Sequence, residues 1–63
     1  LEFSRYRMLA RAHFETGEFQ RAKAFFWESL NFTSKFAHQI QTEEWLARCD
    51  WMEANKEAVG SKQ

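Results

Sequence analysis

Apolar residues recur at helical spacing in two stretches that meet at Thr16-Gly17-Glu18. In the first stretch Phe3, Tyr6, Leu9, Ala10, His13, Phe14 and Gly17 share one face. Ser4, Arg7, Arg11 and Glu15 share the other, with Met8 among them. This three-and-four spacing predicts an amphipathic helix over about residues 2–16. Gly17 supplies the turn, because glycine alone enters left-handed backbone without strain. A second helix is predicted over 18–34, with two adjacent stripes. One is Phe19, Ala22, Phe26, Leu30 and Thr33; the other is Phe25, Ser29, Phe32 and Phe36. Together they cover more of the helix than one neighbour can bury. Small residues at Ala10 and Ala22 mark where the two helices touch closely. The expected hairpin packing is therefore Tyr6, Leu9, Ala10, Gly17, Phe19, Ala22 and Phe26.

A third helix is predicted over about 41–59. No glycine or proline marks its start, so a break between Thr33 and Gln41 competes with one continuous helix from Glu18. Ser34 and Thr42 are the expected caps, and Glu43-Glu44 suit a helix N-terminus. The helix is apolar on two opposite sides: Ile40, Ala47, Trp51, Ala54 and Ala58 on one, Trp45, Cys49, Met52 and Val59 on the other. Glu44 and Arg48 separate the stripes on one flank; Glu43, Asp50, Glu53 and Glu57 do so on the other. Such a helix needs two neighbours, and the first two helices can supply only one side. The second side is expected to meet another chain or a following helix. Residues 60–63 read as a frayed tail, so the domain is expected to span 1–59.

Composition narrows what this all-α chain can do. With 63 residues, 44% hydrophobic and 17% aromatic, it is too apolar for a disordered tail. A domain of this size is marginal in stability without help, and one Cys cannot form an internal disulfide. Nine basic residues cancel nine acidic ones, which argues against a dedicated binder of nucleic acid or anionic membranes. A net charge of zero also permits self-association. No apolar run approaches the length that spans a bilayer, and no signal peptide is visible. An intracellular setting, cytoplasmic or nuclear, is expected, within a longer parent protein.

An internal repeat appears when the third helix is laid on the first. Leu9-Ala10-Arg11-Ala12-His13-Phe14 aligns with Leu46-Ala47-Arg48-Cys49-Asp50-Trp51. On these residues the chain resembles the tetratricopeptide repeat family, whose unit is a helix-turn-helix of about 34 residues. Tyr6 matches the family's early aromatic, Leu9-Ala10 its Leu-small pair, Gly17 its turn glycine and Phe19 the aromatic that follows. Ala22 matches the small residue at the helix crossing, and Phe26 and Ser29 the later aromatic and small positions. His13 stands where the family usually has Tyr, the closing proline is missing, and three extra residues separate the units. The resemblance covers about one and a half repeats. It implies a right-handed stack of hairpins whose first helices line a concave face where partner proteins dock. The function it implies is that of a scaffold or adaptor.

Candidate partner-binding residues are Arg7, Arg11, Trp27, Glu44 and Arg48. Arg11 and Arg48 occupy equivalent positions, and with Arg7 they could form a basic row that reads carboxylates bidentately. The competing reading is a solvated face, with Arg11 paired to Glu15 and Arg48 to Glu44. The family's C-terminal carboxylate clamp is not expected, since Arg11 replaces its Asn and Glu44 sits among the basic positions. Trp27 lies on a polar side, as binding hot spots often do, or else it covers a neighbouring hairpin. Trp45 and Trp51 are expected in the core. No catalytic, cofactor-binding or metal-binding residues are expected: His13, His38 and Cys49 lack ligand spacing, and the glutamates lack a pocket to desolvate them. The sequon Asn31-Phe32-Thr33 is discounted as helical. The expected partner is a protein or peptide, with neighbouring repeats or self-association as a closed two-fold homodimer; nucleic acid and membrane are not expected. The alternative is a helical nucleic-acid binder using Arg5, Arg7, Arg11, Arg21 and Lys23.

Overall fold

The structure, a computed structural model, describes residues 1–56. These form three α-helices and one short 3₁₀ turn, with no strand among the described residues: α1 Glu2–Glu15, α2 Phe19–Ser29, the turn Leu30–Phe32, and α3 Phe36–Ala54. The described chain is thus all-α, as the periodicity predicts. The predicted end of the third helix at Val59 and the tail at 60–63 lie outside the described residues.

The hairpin between α1 and α2 closes where the sequence places it. Gly17 has φ +83°, so it sits in left-handed backbone. The Glu18 amide donates to the His13 carbonyl at 2.8 Å, and the Gly17 amide to the Phe14 carbonyl at 3.1 Å. This pair of bonds is a Schellman closure, which satisfies carbonyls left orphaned at the helix end. A side-chain contact reinforces it: His13 Nδ1 lies 2.7 Å from Glu18 Oε1. Beyond the turn Phe14 and Phe19 meet edge to face at 5.3 Å.

Close packing of α1 on α2 depends on two alanines. Ala10 and Ala22 are both fully buried, so the backbones approach without an intervening side chain. Phe3, Phe19, Phe26 and Ser29 are also buried. Fully burying one such phenylalanine contributes roughly 1.5–3 kcal/mol. Tyr6 stacks on Phe32 at 5.3 Å and tilts against Phe25 at 6.1 Å. Leu9 departs from the expected hairpin packing: it is 40% exposed, because its position on α1 falls outside the arc that faces α2.

α2 is shorter than the sequence suggests, ending at Ser29 rather than near residue 34. The buried Ser29 hydroxyl donates to the Phe26 carbonyl at 2.6 Å, and the chain tightens into the 3₁₀ turn. Thr33 is extended (φ −149°, ψ 148°) and Lys35 likewise (φ −79°, ψ 129°). The break therefore falls at residues 33–35, within the expected window. α3 starts at Phe36, five residues earlier than predicted. Neither Ser34 nor Thr42 caps it; the N-cap position is Lys35, with no side-chain cap. Thr33 holds the corner instead, its hydroxyl accepting from the Lys35 amide at 3.2 Å and lying 2.7 Å from His38 Nδ1. Asn31 lies in the 3₁₀ turn and not in an α-helix as expected.

α3 runs antiparallel to α2 and parallel to α1. Lys23 Nζ reaches Asp50 Oδ1 at 2.6 Å and Phe26 stacks on Trp45 at 5.3 Å, so numbers fall along α3 as they rise along α2. Phe3 stacks on His38 at 4.0 Å, and the Arg7 guanidinium donates to Gln41 Oε1 at 3.0 Å, so numbers rise together along α1 and α3. The buried face of α3 is Thr42, Leu46 and Cys49. Leu46 and Cys49 complete one core with Ala10, Ala22 and Phe26. Cys49 belongs to the stripe the periodicity identified; Leu46 and Thr42 do not. Trp51, expected in the core, is 61% exposed.

Candidate functional site

Where α1 and α3 meet, two of the expected partner-binding residues, Arg11 and Arg48, share one aromatic ring. Trp45 projects from α3 into the joint between all three helices. Its ring stacks on Phe26 of α2 at 5.3 Å and meets Phe14 of α1 edge on, also at 5.3 Å. Its outer part is covered by two guanidiniums, Arg11 at 5.3 Å and Arg48 at 4.8 Å from the ring centre. One turn earlier on α1, Arg7 lies over the Phe3 ring at 5.6 Å while bonding to Gln41. The result is a row of guanidiniums along the α1–α3 groove, each resting on an aromatic surface.

The local ion pairs that would neutralise this row are not made. Among the described residues, the ion pairs within 4.0 Å are Arg5 with Glu2, His13 and Arg21 with Glu18, and Lys23 with Asp50. Arg7, Arg11 and Arg48 take part in none of them. A guanidinium attracted to a ring face keeps N–H donors for a further partner. Such donors can bind a carboxylate with two parallel hydrogen bonds.

Glu44 is exposed on α3 and makes no ion pair within 4.0 Å among the described residues. Trp27 is 58% exposed and stands apart from the arginine row. It lies one turn after Lys23 on α2. The five basic residues of the nucleic-acid alternative do not form one surface. Arg7 and Arg11 line the groove, Arg5 pairs with Glu2, Arg21 lies near Glu18, and Lys23 is spent on Asp50.

Periodicity alone missed three contributors to this site: Trp45, Gln41 and Phe3. The signal was available in the spacing of Gln41, Trp45 and Arg48, which puts one amide, one ring and one guanidinium on a single face of α3. Nothing in that spacing says that Arg11 of α1 shares the ring.

Two ionisable groups are displaced by their surroundings. The Lys23 ammonium is held above its ordinary 10.5 by the hydrogen bond it donates to Asp50 and then by that carboxylate's charge. Burial pushes the Cys49 thiol above its ordinary 9.0, and the nearby Asp50 charge adds to this. A thiol so displaced is a weak nucleophile at neutral pH. No group of three or more His, Cys, Asp or Glu among the described residues is placed to hold a metal ion. No helix among them is long and apolar enough to cross a membrane.

Comparison with family models, with characterised proteins and with solved structures gives no significant match for this chain.

Proposed function

We propose that the chain is a protein-interaction module of the tetratricopeptide type, an adaptor whose α1–α3 groove takes an extended acidic segment of a partner protein. The observation that carries this reading is that Arg11 and Arg48 share the Trp45 ring and Arg7 lies over Phe3 one turn earlier, with no carboxylate within 4.0 Å of any of the three. Two further features support it. Arg11 and Arg48, equivalent in the internal repeat, rest on the same ring. The parallel course of α1 and α3, with α2 antiparallel to both, is the arrangement that stacked helical hairpins adopt. In such a groove a carboxylate gains charge-assisted hydrogen bonds, and the rings beneath hold the guanidiniums ready, which lowers the ordering cost of binding.

The test is fluorescence anisotropy of a labelled ten-residue Glu/Asp-rich peptide titrated with the protein, beside a Lys-rich peptide and a single-stranded oligonucleotide. Binding of the acidic peptide alone is expected, weakening as salt rises. Arg11→Ala and Arg48→Ala should each weaken it by about tenfold, the scale of one hydrogen bond to a charged group. Tighter binding of the oligonucleotide, or acidic-peptide binding indifferent to both substitutions, would overturn the reading.

A further inference from the structure

Two arginines from different helices crowd one ring with nothing to neutralise them. Arg11 of α1 and Arg48 of α3 lie 5.3 and 4.8 Å from the centre of Trp45. Both side chains are exposed and long enough to close on one ligand. With no carboxylate within 4.0 Å of either, the two charges oppose each other. An anion that touches both relieves this. The surroundings limit what that anion is. Glu15 follows Arg11 by four residues on α1, and Glu44 precedes Arg48 by four on α3. Both glutamates are exposed, and neither makes an ion pair within 4.0 Å among the described residues. Spacing of four keeps each on its arginine's side of the helix. Because α1 and α3 run parallel, one glutamate lies beyond each end of the arginine pair. A run of carboxylates laid along the groove would meet these like charges. One compact anion of high charge, set between them, meets the arginines.

Resting on the groove as the interaction surface, we propose that its arginine pair binds a single phosphorylated residue, a phosphoserine or phosphothreonine, in the partner segment. A phosphate monoester carries a charge of about −1.5 to −2 at neutral pH and three acceptor oxygens. Three oxygens accept from two guanidinium forks at once, whereas the two oxygens of a carboxylate fill one fork. Clustered arginines recognise phosphorylated motifs on this basis. Nucleic acid fits less well. Its phosphates come in a row, and the pair is closed off by a glutamate beyond each end. The basic residues that would extend a track are engaged elsewhere: Arg5 with Glu2, Arg21 with Glu18 and Lys23 with Asp50. Arg7, bonded to Gln41 one turn before Arg11, is left for the chain that flanks the phosphate.

The experiment is fluorescence anisotropy of the 63-residue chain with a labelled ten-residue peptide that has one phosphoserine among uncharged residues. The same peptide with serine or with glutamate in that place is run beside it. The phosphoserine peptide is expected to bind about tenfold more tightly than the glutamate one, the scale of one added hydrogen bond to a charged group. The serine peptide should not bind. Because one phosphate is held by both forks, Arg11→Lys or Arg48→Lys alone should abolish the preference for phosphoserine over glutamate, although lysine keeps the charge. Both positions are exposed, and circular dichroism checks that each variant keeps its helicity. Equal binding of the phosphoserine and glutamate peptides, or a preference that survives either substitution, overturns the proposal. Displacement of the peptide by equimolar inorganic phosphate overturns it in favour of the free ion. Equally tight binding of a single-stranded oligonucleotide overturns it in favour of nucleic acid. The Glu/Asp-rich peptide tests the groove separately. If it binds while phosphoserine shows no advantage, the phosphate assignment alone fails; if every anionic peptide fails to bind, both fall.

Discussion

Thr42 carries a hydroxyl that the fold does not use. It is fully buried, and its Oγ1 has no hydrogen-bond partner. A helical threonine ordinarily bonds a carbonyl three or four residues back, and Thr42 does not. A buried polar group without a partner is destabilising by about 1–3 kcal/mol. Thr42→Val keeps the shape and the branching and removes that group, so it should stabilise the domain by about 1 kcal/mol. Urea unfolding reads this directly; a loss of stability would mean the hydroxyl has a partner in solution. Cys49 and Lys23 set a second expectation, on alkaline pH. Both hold their protons more tightly in the folded state than in the unfolded chain, Cys49 through burial and Lys23 through its bond to Asp50. By linkage, the stability each contributes is complete below its ordinary value and drains as pH rises through the folded one. The melting temperature should therefore begin to fall above pH 9.0 and fall further above 10.5. Cys49→Ala should remove the first decline and Lys23→Met the second. A melting profile of Cys49→Ala with the wild-type onset would place the first decline elsewhere.

At the scale of helices, legibility followed the strength of the local signal. The turn at Gly17 was readable because only one residue type suits its backbone, and Ala10 and Ala22 were readable because only small residues allow that crossing. Gly17→Ala gives a clean measure of this. A Cβ built there meets no atom within 4 Å, so the cost is that of left-handed backbone alone. About 1 kcal/mol should be lost, seen as a lower urea midpoint at unchanged slope; no change would mean the turn relaxes. The end of α2 was not readable in the same way. Phe32 and Phe36 extend its apolar stripe at helical spacing, yet Phe32 serves to stack on Tyr6 from the 3₁₀ turn, and Phe36 opens the next helix. α3 misled for a different reason. Its two sides are comparably apolar, so hydrophobicity could not choose between them. The space beside Ala22 and Phe26 takes Thr42, Leu46 and Cys49, while the larger Trp51 is left outside. The candidate site was half legible. The equivalence of Arg11 and Arg48 pointed to the row, but Glu15 and Glu44 offered ion pairs at equally good spacing. Only the tertiary position of Trp45 decides that both guanidiniums rest on a ring instead.

Across the whole molecule, one side chain of α3 touches both helices of the hairpin, beside the core that Leu46 and Cys49 share with them. Trp45 touches Phe14 of α1 and Phe26 of α2, and carries Arg11 and Arg48 on its outer part. Elsewhere the α1–α3 contact consists of side-chain pairs near one end, Phe3 with His38 and Arg7 with Gln41. Removing a tryptophan from such a joint costs about 3–5 kcal/mol. A single core in a chain this short rarely supplies more than about 3–5 kcal/mol in total. The two quantities are equal in scale, so Trp45→Ala should unfold the domain as a unit and not merely release α3. The α1–α2 hairpin cannot compensate, because Phe14 and Phe26 then face the solvent that Trp45 had excluded. Far-UV circular dichroism at 25 °C should show most of the helicity lost in Trp45→Ala, whereas Trp45→Phe, which keeps a ring in the joint, should retain the fold with a lower melting temperature. A Trp45→Ala protein that keeps only the helicity of α1 and α2, with hydrogen exchange protected in those two helices alone, would show the hairpin to be an independent unit. In that case the groove between α1 and α3 would be a hinged surface that binding has to assemble, and acidic-peptide affinity would fall with Trp45→Ala without any loss of the hairpin.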